Sequence, residues 1–261
     1  MSGGTPETTM WLTLEGLANA RDVGGLPLAG GGTTRGGVLL RSDEPVACTP
    51  ADVAQLVEVV GLRRVVDLRS LREHETSAPH ALRDAGVEYL SLSLRDRAST
   101  TEDRAASRAE ADGLSEDDLL VWMARRYRQT LDVATEALIG LLPTLAHQDG
   151  PTLVHCAAGK DRTGVVVAML LSLAGVERPA VVADYAVTDG RMDRVLAALR
   201  ARRGPGIDEL PPVLHRAPAR VMDHFLASVD EDLGGVERWF LDRGARPADV
   251  VAWTERLAAP A

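Results

Sequence analysis

The chain is poor in aromatic, thiol and ammonium groups. Of its 261 residues only 3% are aromatic and two are cysteine, and Lys160 is the single lysine, arginine supplying every other basic side chain. Two cysteines exclude a disulfide framework. Cys48, just before Thr49-Pro50, reads as a packing residue at a helix start rather than as a redox partner for Cys156. No apolar run approaches the roughly 18 residues of a membrane-spanning helix, so no integral membrane association is expected. The first residues carry Glu7 and Glu15 without an uninterrupted apolar stretch, so no secretory leader is expected and the cytoplasm is the expected compartment. An excess of positive charge is missing as well. With a net charge of -9 and a pI near 5.2, nonspecific nucleic-acid binding is disfavoured, and any attraction for an anion must be local. The histidines, His74, His80, His147, His155, His215 and His224, show no metal-ligand spacing, and no metal or other cofactor is expected.

What the chain has in quantity is leucine, valine and alanine. A hydrophobic content of 45% suffices for one domain over residues 1–261. Strand-like Val38-Leu39-Leu40 precedes a helix over 51–60, started by Thr49-Pro50 and stopped by Gly61, and strand-like segments follow at 64–68 and 88–93. Leu119, Met123, Tyr127, Leu131, Ala134, Leu138 and Leu142 recur every three or four residues, the buried stripe of one long helix. The part from 179 to 258 reads as helical, broken by the proline-rich stretch Gly204 to Pro218 and by Gly234-Gly235 and Gly244. Arg200, Arg202 and Arg203, just before the first break, read as the basic end of a helix rather than as a lipid-headgroup site. The alternation predicts an α/β domain: a central, mainly parallel sheet flanked by helices, its site in the loops at the strand C-terminal ends.

The densest chemistry lies in His155-Cys156-Ala157-Ala158-Gly159-Lys160-Asp161-Arg162-Thr163-Gly164, between strand-like Thr152-Leu153-Val154 and a helix-like run from Thr163 to Ala174 that Gly175 can close. A cysteine six positions before an arginine lets a tight loop turn both side chains around one tetrahedral anion, with the intervening N–H groups on its oxygens. The helix N-terminus favours a bound anion and a thiolate at Cys156. Cys156 is then placed to attack phosphorus, and Arg162 offers a planar fork that grips two phosphoryl oxygens. The backbone of Ala157 and Ala158 completes the cradle, Gly159 permits its bend, and Thr163 supplies a hydroxyl for the thiolate. Lys160 reads as a compact charge near the phosphate, and His155 as a residue that bonds neighbouring backbone and keeps the thiolate's surroundings electropositive. A nucleotide-binding P-loop is excluded, because Asp161 follows Gly159-Lys160 and Val154 stands where the first glycine belongs.

With these residues the sequence resembles the bacterial tyrosine phosphatases that have dual-specificity and phosphoinositide phosphatase activity. Beyond the loop, the resemblance rests on Asn19-Ala20-Arg21-Asp22-Val23-Gly24-Gly25, Leu40-Arg41-Ser42, Val66-Asp67-Leu68-Arg69-Ser70 and Asp184-Tyr185, in the family's order, from about residue 17 to residue 258. It implies a cysteine-dependent, metal-independent phosphatase working through a phosphocysteine intermediate. The expected substrate is a phosphoprotein, with phosphotyrosine first and phosphoserine, phosphothreonine and phosphoinositides open. The resemblance also implies a helical lid within 95–118, whose charge- and alanine-rich composition by itself reads as a surface segment. It gives Asp161 the role of general acid. Two other aspartates are candidates: Asp96, after the strand at 88–93 where related dual-specificity phosphatases carry their acid, and Asp67, which follows Arg64-Val65-Val66. The rivals are a catalytically silent phosphate-binding module, which the presence of both Cys156 and Arg162 disfavours, and a sulfurtransferase, which does not need the stretch from Lys160 to Thr163.

Overall fold

A computed structural model describes residues 9–75, 81–94, 109–204 and 211–259. The short strands β1 (Met10–Trp11) and β2 (Arg21–Asp22) form an antiparallel flank, and β3 (Thr33–Thr34) pairs elsewhere. Then come β4 (Leu39–Ser42), β5 (Arg64–Asp67), β6 (Glu88–Ser91) and β7 (Thr152–His155), which run parallel. The spatial order is β1-β2-β4-β7-β5-β6, so β7 is inserted between β4 and β5. Successive strand residues face opposite sides of a sheet. Leu39, Val66 and Val154 accordingly join one apolar cluster, and Leu40, Val65 and Leu153 another. Burial on both faces explains why the apolar residues of the three central strands come as adjacent pairs, Leu39-Leu40, Val65-Val66 and Leu153-Val154, rather than alternating.

The smaller cluster is closed by α1 (Pro50–Ala54) with its π-helical extension to Val59, and by α3 (Ala81–Asp84). Thr49 and Asp52 form a reciprocal cap at the start of α1, and Gly61, at φ +75°, ends the segment. Between them in sequence, α2 (Leu71–Glu75) follows β5. The larger cluster is built by α4 (Glu116–His147), α5 (Asp161–Leu173), α6 (Arg178–Ala186), α8 (Ala219–Leu233), α9 (Val236–Asp242) and α10 (Pro247–Leu257). The stripe from Leu119 to Leu142 is buried along α4 as its spacing requires. The helix is capped by Ser115, with acidic Glu116, Asp117 and Asp118 at its positive end. Helix α7 (Met192–Arg203) packs Met192, Val195, Leu196 and Leu199 against Ala18 and Ala157, which lays it beside the Cys156 loop. Strand β8 (Ala258–Ala259) pairs with β3.

Of the expected lid at 95–118, residues 95–108, Asp96 among them, lie outside the described residues, and Glu116 to Asp118 belong to α4. The helix after the loop begins at Asp161 rather than Thr163, so Asp161 and Arg162 occupy its first turn. Among the described residues no helix is long and apolar enough to cross a membrane.

Candidate active site

The register of the parallel strands sets the site. Ser42 and Asp67 both pair with His155, so the C-terminal ends of β4, β7 and β5 finish level with one another. The loops leaving them, with Asp43 and Glu44, with Cys156, and with Leu68 to Ser70, therefore start side by side. Four consecutive carbonyls of the Cys156 loop are each taken by a donor outside the turn or at its base. Cys156 O lies 3.0 Å from His155 Nδ1, Ala157 O accepts from Glu44 N at 3.2 Å, and Ala158 O accepts from Asn19 Nδ2 at 3.2 Å. Gly159 O accepts from Asn19 Nδ2 at 3.2 Å and from Arg41 Nη2 at 2.9 Å. A trans peptide directs its N–H away from its C=O. Turning these carbonyls outward aims the amides of Ala157, Ala158, Gly159 and Lys160 the other way, and no residue among those described accepts from them. They form an anion-binding nest continuous with the N-terminus of α5.

Gly159 is fixed by space as well as by dihedral. Its φ is +68°, and a Cβ there would lie 2.4 Å from Ser42 O and 2.7 Å from Asp43 N. Backbone atoms cannot yield as a flexible side chain would, so the turn can press against β4 only without a side chain.

Arg162 lies in the first turn of α5 and reaches back over the loop. Its Nη1 donates to Leu68 O at 3.2 Å and to Glu73 Oε2 at 2.7 Å, and its Nη2 donates to Glu73 Oε1 at 3.0 Å. A guanidinium has five N–H donors. Three are engaged, and the Nε–H with one Nη2–H, the adjoining edge of the fork, has no acceptor among the described residues. Burial works to lower the Arg162 pKa, but Cys156, Glu73 and Asp161 more than offset it and raise the value.

Glu73 was not apparent as a site residue from the sequence, although Ser70-Leu71-Arg72-Glu73 has the spacing of a reciprocal helix cap. Glu73 N donates to Ser70 Oγ at 3.3 Å, while Ser70 N donates to Glu73 Oε2 at 2.9 Å. That cap aims the carboxylate at Arg162. Glu44, 2% exposed, is a second unanticipated member: it accepts from Arg69 Nη1, Arg202 Nε and Arg203 Nη2 at 2.8, 3.0 and 2.8 Å. Arg203 Nη1 also reaches Glu73 Oε1 at 3.3 Å. Arg202 and Arg203 are thus more than a basic helix end, because they tie α7 to the rim of the site.

The three aspartates separate by environment. The Asp161 side chain is half exposed, and its Oδ1 accepts from Tyr127 OH at 2.6 Å. Asp67 is fully buried and holds Arg69 through its backbone N, Nε and Nη2. Burial works to raise its carboxyl, yet His155 and Arg69 hold it below the usual carboxylate range. A buried, ion-paired carboxylate of this kind holds structure and does not meet a leaving group, so Asp67 is set aside as a proton donor. Asp96 lies outside the described residues.

Two expected roles do not match the geometry. Lys160 is buried, and its ammonium donates to Leu214 O at 2.5 Å and Arg216 O at 3.1 Å, with Asp161 Oδ1 at 3.4 Å. It pins residues 214–216 to the loop rather than turning to the anion nest. Thr163 Oγ1 is buried and makes no hydrogen bond among the described residues, so the expected bond to Cys156 is not formed. His155 shapes the loop through Cys156 O, while burial pushes its imidazole pKa down against the pull of Asp67, which works against the electropositive role expected of it.

Beneath the loop lies a buried ionic frame. Asp184, on α6, joins Arg21 Nε at 2.8 Å and Arg41 Nη1 at 2.6 Å, and Arg21 Nη1 donates to Asn19 Oδ1 at 2.7 Å. Burial works to raise the Asp184 carboxyl, and the two guanidinium groups hold it below the ordinary range; burial and the neighbouring Arg41 push Arg21 down to about 10. A groove of about 760 Å³ between the start of α4 and residues 211–219, walled by Leu119, Ala186, Val213 and Arg216, does not include the Cys156 loop.

Residues 12–259 match the model of the tyrosine phosphatase family. Over 247 residues the chain is 33% identical to a Cupriavidus necator protein with a provisional tyrosine-protein phosphatase name, covering 88% of this chain and 83% of that one. It is 32% identical over 273 residues to the triple specificity protein phosphatase PtpB of Mycobacterium tuberculosis, covering 91% of this chain and 95% of that one. A tyrosine-protein phosphatase of Nostoc commune is 31% identical over 129 residues, 49% of this chain and 41% of that one.

Proposed function

The chain belongs to the tyrosine phosphatase family, and from that premise we propose that this protein-tyrosine phosphatase works through Cys156, Arg162 and Asp161. The observation that carries the assignment is the set of four outward-held carbonyls, which leaves the loop amides to one tetrahedral anion beside Cys156 and Arg162.

In the first step the Cys156 thiolate forms an S–P bond while the P–O bond to the leaving group breaks. The Nε/Nη2 edge of Arg162 and the loop amides hold the three equatorial oxygens, whose charge they stabilise. Asp161, protonated, gives its proton to the departing oxygen. In the second step water forms a new P–O bond, the S–P bond breaks, and the Asp161 carboxylate takes the proton from water. Inorganic phosphate leaves and the thiolate is restored. Asp161 suits both steps because it is half exposed at the N-terminus of α5.

For substrates, phosphotyrosine comes first. The triple-specificity relative extends the proposal to phosphoserine, phosphothreonine and phosphoinositides. Hydrolysis of para-nitrophenyl phosphate in EDTA, by wild type and Cys156→Ser, tests the chemistry. Turnover in EDTA that the variant abolishes is expected. Activity retained by Cys156→Ser, or lost to EDTA and restored by a divalent metal, overturns it. Phosphopeptide and phosphoinositide panels then rank the substrates.

A further inference from the structure

Three helices meet at the carboxyl group of Asp161. Tyr127 comes from α4, Tyr185 from the end of α6, and Asp161 starts α5. Tyr127 OH lies 2.6 Å from Asp161 Oδ1 and 2.8 Å from Tyr185 OH. Each phenol has a single hydrogen. The carboxylate can only accept, so the hydrogen of Tyr127 goes to Asp161, and Tyr185 must donate to Tyr127. The chain of donors therefore runs one way, from Tyr185 through Tyr127 to Asp161.

The rings are held so that this direction persists. Tyr127 is 4% exposed and Tyr185 1%. They meet edge to face at 6.1 Å between centroids, and Tyr127 meets Phe225 in the same manner at 6.2 Å. Tyr185 also lies flush against α5, where a Cβ on Gly164 would come within 3.0 Å of its ring. Burial, with the nearby Asp161 carboxylate, raises both phenol pKa values, so both remain donors throughout the working pH range.

We propose that Tyr127, backed by Tyr185, is the positioning residue of Asp161: it occupies Oδ1, so that the transferable proton is carried on Oδ2. The proposal rests on the reading of Asp161 as general acid. One consequence separates it from simple packing: the carboxyl is aimed, so loss of the donor weakens protonation of poor leaving groups more than of good ones. The other groups facing Asp161 are Lys160, whose ammonium is 3.4 Å from Oδ1, and Arg162, whose charge Asp161 also influences. Both remain in the variants below.

The test is kcat/KM with aryl phosphates of graded leaving-group pKa, for wild type, Asp161→Asn, Tyr127→Phe, Tyr185→Phe and Phe225→Leu. For Tyr127→Phe, rates with phenolate leaving groups of high pKa are expected to fall about tenfold, with good leaving groups little affected. Tyr185→Phe is expected to show the same bias to a smaller degree. Phe225→Leu, which removes ring packing and no hydroxyl, should leave the leaving-group dependence in place. If Asp161→Asn shows the steep leaving-group dependence while folded Tyr127→Phe and Tyr185→Phe keep the wild-type profile, the relay alone is overturned. If Asp161→Asn is no more sensitive to the leaving group than wild type, the acid assignment fails and takes the proposal with it.

Discussion

Replacing Asp184 by asparagine is expected to destabilise the frame on which the phosphate loop sits. Asp184 is the shared carboxylate between Arg21 and Arg41, which are 0% and 1% exposed. Asparagine has nearly the same shape but no charge, so the variant leaves two guanidinium groups in the interior without their counter-ion. Removing one partner of a buried ion pair costs about 3–5 kcal/mol. Against a typical total of about 5–15 kcal/mol, that is a large share. In a chain of this size each kcal/mol moves Tm by about 2–4 °C, so a loss of about 4 kcal/mol lowers Tm by about 8–16 °C. The acid dependence gives a second readout. The Asp184 carboxyl is held below its ordinary value, so its contribution is fully present above the unfolded value of about 3.9 and disappears as pH falls through the lower folded value. The gap between wild type and variant should therefore be full at neutral pH and close only in strong acid. Activity should fall too, because Arg41 also holds the Gly159 carbonyl at 2.9 Å. Thermal unfolding across pH by circular dichroism measures this, and a neutral-pH Tm within about 2 °C of wild type, less than 1 kcal/mol, refutes the reasoning.

Gly159→Ala places a Cβ 2.4 Å from Ser42 O. It should lower kcat/KM at least 10²-fold by displacing the loop about 1 Å, measured with para-nitrophenyl phosphate. Glu73→Gln removes the charge that clamps the outer edge of Arg162, and should reduce kcat/KM about 10-fold to 10²-fold with Tm little changed. Vanadate or phosphate affinity, read by calorimetry, should weaken in step. Lys160→Met deprives the Leu214 and Arg216 carbonyls of their charged donor, at about 1.5–3 kcal/mol for a charge-assisted bond. Hydrogen exchange should accelerate across residues 212–217 and leave β7 unaltered.

The features legible in the sequence are those in which neighbouring residues act together. The stripe from Leu119 to Leu142 declares a helix because its period is set by one backbone geometry. The ten residues around Cys156 declare an anion loop because cysteine, bend and fork all lie within one turn. What the sequence does not show depends on where a side chain ends rather than where it begins. Lys160 is adjacent to the nest in sequence, yet the turn sends its ammonium toward Leu214 and Arg216. Tyr127 belongs to the buried stripe of α4, but only its ring lies there; the hydroxyl at the tip reaches another helix. Glu73 sits in a four-residue capping pattern that says a helix begins, and nothing local says that an arginine 89 positions later comes to meet it. Arg202 and Arg203 likewise have the sequence of an ordinary helix end, and only the fold brings them to Glu44.

Strand β7 occupies the gap between β4 and β5, and it is the strand that delivers Cys156. A chain emerging from the ribosome therefore holds two sheet edges, made by residues 39–42 and 64–67, that cannot join until residues 152–155 arrive. Such long sequence separations slow folding, because the intervening loop must close before any pairing rewards it. Cys156 thus reaches its place in the loop only after both halves of the sheet have been brought together around it. Nascent or truncated chains lacking that strand have exposed edges and no place for the proposed nucleophile, so catalytic competence is expected to report on completed assembly of the sheet.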